Sequence, residues 1–131
     1  INISIASPKK YQVKKDFIEK AKKINSKIKI ELLEDPKLAS KDANIIYTDV
    51  WTSMGQEGEL EIRKGIFSPY QVNDELLSNA DTNAIVLHCL PAHKEQEISS
   101  KVFERFSKII YQQAENRLHA QKAILLKLLD K

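Results

Sequence analysis

The chain has 131 residues, 42% apolar and 30% charged, with a net charge of +3. That is one soluble globular domain's worth of sequence rather than a disordered tail. One cysteine excludes an internal disulfide and fits a reducing, cytoplasmic setting, and no apolar run nears the ~20 residues of a membrane span. Nine lysines between Lys9 and Lys29 carry most of the basic excess. With no arginine among them they read as the solvated face of a helix, so neither nucleic acid nor membrane is expected as a partner.

In chain order, Asn2 to Ala6 alternates and is β-branched, which predicts a strand that Ser7-Pro8 ends. The chain opens as Ile1-Asn2-Ile3, without an initiator methionine, as a strand entered midway. We expect a piece of something longer. Phe17, Ile18, Ala21 and Ile24 recur at helical spacing from Lys14 onward. Lys27 to Leu33 alternates as a second strand, and Pro36 to Ala43 predicts a short helix begun by proline. Asn44 to Thr48 predicts a third, buried strand with Asp49 at its end.

A loop from Val50 to Gly58 follows, then a helix from about Glu59 to Lys64, and Asn73 can cap another through Ala80. Ala84 to Leu87 predicts a fourth strand, delivering His88, Cys89, Leu90, Pro91, Ala92 and His93 at its end. Ser99 or Ser100 can cap a short helix holding Val102, Phe103 and Phe106. Ile109-Ile110-Tyr111 predicts a fifth short strand, and Gln113 to Leu129 a final helix apolar enough to pack into a larger body. Alternating strands and helices predict an α/β, Rossmann-like three-layer sandwich with a mostly parallel sheet, N-terminally incomplete. There is no internal repeat and no glycine-rich phosphate loop.

In such a sheet ligands bind outside the carboxyl ends of the strands. Three ends then converge: Asp49 with Ser53, Met54 and Gly55 beyond it; His88 with Cys89; and Asn116-Arg117 after the fifth strand. Cys89 alone reads as a small buried hydrophobe, but beside a histidine, near a proline and at a strand end it reads as a functional thiol. His88, Cys89 and His93 match no zinc spacing, and no metal is expected. A Cys-His hydrolase is disfavoured because adjacent strand residues point to opposite faces. Asp49 suits an amine, while Ser53 and the backbone around Met54 suit a carboxylate, so the pair fits a zwitterionic amino acid. An arginine near a helix start, as Arg117 is on this layout, calls for an anion such as a phosphate.

Asp49-Val50-Trp51-Thr52-Ser53-Met54-Gly55, Tyr70-Gln71-Val72-Asn73, His88-Cys89-Leu90-Pro91 and Glu115-Asn116-Arg117, in this order, resemble ornithine carbamoyltransferase. The likeness covers the whole chain. The His-Cys-Leu-Pro tetrad and the Asp-x-x-x-Ser-Met-Gly loop separate that family from aspartate carbamoyltransferase. The resemblance implies carbamoyl transfer from carbamoyl phosphate to the δ-amine of L-ornithine, without cofactor, in arginine metabolism. It implies that Asp49, Ser53 and Met54 hold ornithine and that Cys89, Leu90 and Arg117 meet carbamoyl phosphate. Cys89 and Arg117 then serve catalysis. A Ser-x-Arg-Thr phosphate motif and a His-Pro-x-Gln segment are absent from the chain, as are the first strand and helix of the ornithine domain. Residues 1–131 are therefore expected to be a partial ornithine-binding domain, about the last two fifths of an enzyme that is commonly a homotrimer. A transferase for another amine, such as putrescine, and a non-catalytic amino-acid-binding or assembly domain are the alternatives.

Overall fold

The computed structural model describes residues 1–52 and 57–129. Two parallel strand pairs organise the chain. Strand β1 (Asn2–Ala6) is followed by helix α1 (Lys15–Ile24) and strand β2 (Lys29–Leu33), with Asn2 opposite Lys29 and Ala6 opposite Leu33. A parallel pair needs a long crossover, and α1 supplies it. No α1 residue is buried; Phe17 and Ile24 stay exposed.

Helix α2 (Pro36–Ser40) starts where proline can sit without losing a hydrogen bond, and the Asp35 carboxylate accepts from Lys37 N–H at 2.8 Å. Strand β3 (Ile45–Thr48) follows, then helix α3 (Leu60–Phe67) and the short helix α4 (Asp74–Leu77). The Asn73 side chain accepts from Leu76 N–H at 2.9 Å, the cap that the sequence predicts. Strand β4 (Ile85–His88) pairs with β3, Ile45 opposite Ile85 and Thr48 opposite His88.

The two pairs do not join into one ladder. Between the inner edges of β1 and β3 lies a cavity of about 450 Å³, bordered by Ser4 and Ala6 on one side and by Ile45 to Thr48 on the other.

Past β4 the structure departs from the expected order. Ile109-Ile110-Tyr111 is not a fifth strand. It is part of one helix, α5, running unbroken from Ser100 to Leu129. The β-branched pair suggests extended backbone locally, but Val102, Phe106 and Ile110 recur every fourth residue, all buried. Burying that stripe against β4 outweighs the weak local preference for strand. Ser99 Oγ caps α5, accepting from Val102 N–H at 3.3 Å.

The core gathers Val72, Leu76, Val86, Ile98, Val102, Phe103, Phe106 and Ile110 around β4, α4 and the first half of α5. The far half of α5 leaves Leu118, Leu125, Leu128 and Leu129 exposed. Among the described residues, no helix is long and apolar enough to cross a membrane.

Candidate active site at the carboxyl ends of β3 and β4

The strand register builds the site. Thr48 pairs with His88, so the next residues of the two strands, Asp49 and Cys89, emerge side by side. A carboxylate oxygen of Asp49, a ring nitrogen of His88 and Cys89 Sγ lie within 4.8 Å of one another. Strand alternation puts Tyr47 on the same face as Asp49, and the Tyr47 hydroxyl completes the group.

Proton affinities follow from that crowding. Burial pushes the Cys89 thiol up, and the hydrogen bond and charge of Asp49 push it further the same way. Burial likewise raises Tyr47, with Cys89 adding to it. A thiol beside a carboxylate donates to it and stays protonated, so Cys89 meets a ligand as S–H, not as a thiolate.

His88 faces elsewhere. It is fully buried, and its Nε2 lies 3.0 Å from Glu97 Oε1. Its Nδ1 accepts from Leu90 N–H at 2.9 Å. Both ring nitrogens are engaged, which leaves Asp49 and Cys89 as the outward donors of this set. Two donors fall short of the three or four protein ligands of a zinc site. His93 sits on the exposed surface, and its backbone N–H donates to Glu97 Oε1 at 2.6 Å.

Leu90 packs against the core from its place after Cys89, at a φ of 57°. Ser53 and Met54 lie outside the described residues. The start of their loop is anchored: Arg63 donates from Nη1 to the Trp51 carbonyl at 3.1 Å, and Trp51 stacks on Phe67.

Arg117 is placed differently from the expectation. With no fifth strand, it does not start a helix at a strand end. It lies well inside α5 and is exposed. It stands four residues beyond Gln113, one turn or about 6 Å along the same face. Gln113 is the residue of α5 that touches the site, and the sequence does not single it out. Its Oε1 accepts from His88 N–H at 3.1 Å and its Nε2 donates to the Tyr47 hydroxyl at 3.0 Å. Glu97 and Tyr47 are also missed. Neither carries a signal in the sequence: Glu97 stands in the polar run Lys94-Glu95-Gln96-Glu97-Ile98-Ser99-Ser100, and Tyr47 reads as one more strand residue.

A parallel α/β unit with hydrogen-bonding side chains at its strand ends belongs to the class that binds small ligands there. The family model described as the Aspartate/ornithine carbamoyltransferase, Asp/Orn binding domain, matches residues 1–128, and the chain belongs to that family. It is 52% identical to the ornithine carbamoyltransferase of Archaeoglobus fulgidus over 127 residues, 97% of this chain and 41% of that protein. It is 52% identical to that of a Synechococcus strain over 130 residues, 98% of this chain and 43% of the relative. Among solved structures it superposes on the anabolic ornithine carbamoyltransferase of Campylobacter jejuni with a TM-score of 0.91 at 38% identity, covering 98% of this chain and 43% of that one. The Pyrococcus furiosus enzyme gives 0.85 at 45% identity, over 95% and 40%. The chain thus spans about two fifths of the length of these relatives.

Proposed function

We propose that residues 1–131 form the ornithine-binding part of an ornithine carbamoyltransferase. The reaction moves the carbamoyl group of carbamoyl phosphate to the δ-amine of L-ornithine, giving L-citrulline and phosphate. The observation that carries this reading is the Asp49–Cys89 pair at adjoining strand ends, in a chain so similar to named ornithine carbamoyltransferases. The same reading assigns the whole enzyme to arginine biosynthesis, as a cytoplasmic homotrimer.

The chemistry suits the residues. The δ-amine is mostly protonated at neutral pH and must shed a proton before it attacks. The new C–N bond forms as the carbonyl oxygen takes up negative charge. The C–O bond to phosphate then breaks, and phosphate leaves with the electron pair. Asp49 supplies the anion that draws and orients an amine. Ser53 and Met54 hold the amino-acid end. Cys89, kept as a thiol by its hydrogen bond to Asp49, lines the site beside the reacting carbon, and Leu90 packs against carbamoyl phosphate. Arg117 balances the charge of the phosphate. Raised proton affinity at Cys89 argues against thiolate as the base, and the amine's proton goes to the Asp49 side or to phosphate.

The test is citrulline formation by the parent enzyme, assayed with ornithine and with putrescine. Turnover restricted to ornithine is expected. A preference for putrescine favours the other-amine transferase, and calorimetric binding of norvaline without any turnover favours a non-catalytic domain. Residues 1–131 by themselves should form no appreciable citrulline. A rate near that of an intact enzyme overturns the assignment of only one half of the site to them.

A further inference from the structure

Among the described residues Glu97 is the one acidic side chain that is buried, and the reaction as described makes no use of it. It follows β4 by nine residues and returns to it. Its Oε1 accepts the His93 backbone N–H at 2.6 Å and lies 3.0 Å from His88 Nε2. Its Oε2 is buried with no hydrogen-bond partner among the described residues. A carboxylate with a spare buried oxygen is costly. It is kept where its other oxygen does something an apolar side chain cannot.

What Oε1 does follows from the far side of the imidazole. Nδ1 accepts from Leu90 N–H at 2.9 Å, so Nδ1 carries no hydrogen and Nε2 carries the ring proton. That proton points at Glu97. A histidine free to change tautomer would place hydrogen on Nδ1 and turn it from an acceptor into a donor facing another donor. Glu97 forbids this. Leu90 is where the backbone can least do without the support. Its φ of 57° lies in the left-handed region that a γ-branched side chain rarely adopts. The chain Glu97 to His88 to Leu90 N–H therefore sets the backbone turn that presents Cys89 and Leu90.

We propose that Glu97 is a positioning residue for carbamoyl transfer, acting through the His88 tautomer on the Cys89–Leu90 turn. This rests on the proposed function for its kinetic consequence, but not for its structural one. The two parts have separate readouts. Nitrogen-15 NMR of the imidazoles should find His88 as the Nε2–H tautomer in the wild type and in Glu97→Gln, which keeps an acceptor oxygen. Glu97→Leu should admit the Nδ1–H tautomer and shift the Leu90 amide. In the parent enzyme, Glu97→Leu should lower kcat about 10²-fold, the scale of a reacting group misplaced by about an ångström. The KM for ornithine should change little, and Glu97→Gln should restore most of the rate.

If Glu97→Leu does not fold, His88 variants decide. Asparagine places an acceptor near the Nδ1 position and should retain more kcat than glutamine, which replaces Nε2 alone. A wild-type His88 in the Nδ1–H form overturns the proposal. So does an active enzyme in which Glu97→Leu leaves kcat unchanged, or in which asparagine and glutamine at position 88 are equally poor. A wild-type enzyme with no carbamoyl transfer refutes the proposed function instead, and the tautomer measurement still judges the relay.

Discussion

At the scale of single residues, the site is governed by one thiol and one carboxylate held against each other. Asp49→Asn removes the negative charge that helps hold Cys89 above its ordinary range, leaving burial as the remaining cause. The thiol should then titrate at lower pH, and alkylation by iodoacetamide at mildly alkaline pH should be faster in the variant than in the wild type. An unchanged rate would mean that burial accounts for the whole shift. The same groups give stability a pH dependence. Cys89 and Tyr47 both bind their protons more tightly in the folded chain than when unfolded. The stability they contribute is full at neutral pH and is lost as pH rises through the alkaline range where the folded groups ionise. Denaturant titrations between neutral and strongly alkaline pH should show that decline, and Cys89→Ala should flatten part of it.

At the scale of elements, two contacts carry checkable energies. Asn73 caps α4, and Asn73→Ala should cost about 1 kcal/mol in denaturant unfolding. Gln113 ties α5 to both site strands, and Gln113→Leu strands the His88 N–H without its acceptor. That variant should lose about 1–3 kcal/mol, together with the Tyr47 contact. A cost no larger than that of an exposed surface change would show that water replaces the glutamine. These two residues also mark what sequence can and cannot disclose. The Asn73 cap is legible because a capping side chain answers to a backbone amide three residues away. So are β1 to β4, whose alternation or apolar runs are local, and Asp49 and Cys89, which stand where apolar runs stop. Gln113 meets Tyr47 across 66 residues of sequence, and nothing near either one announces it. The fifth strand fails for the same reason. Ile109-Ile110 looks extended until the stripe of Val102, Phe106 and Ile110 has a sheet to lie on. Placing Arg117 at a helix start inherits that error.

At the scale of the whole molecule, packing is uneven. The interior belongs to β4, α4 and α5, whereas β1, β2 and α1 hold no buried residue. A large-to-small change in the dense part should be felt throughout. Phe106→Ala should cost about 3–5 kcal/mol, a large share of the ~5–15 kcal/mol that holds a typical domain together. Phe17→Ala on exposed α1 should fall within about 0.5 kcal/mol. Comparable losses at both positions would show that Phe17 is packed as tightly as Phe106.

The cavity between β1 and β3 bears on how the backbone exchanges hydrogen with water. A strand amide is shielded when it donates into a ladder, and the inner edges of these two strands face the cavity instead of each other. In deuterium oxide the cavity-facing amides of β1 and β3 should exchange early, while those of β4 and the first turns of α5 are protected up to global unfolding. Those early amides mark a seam that divides the sheet lengthwise. An extended segment lying along it, hydrogen-bonded on both sides, would make one continuous sheet of the two pairs and silence their exchange together.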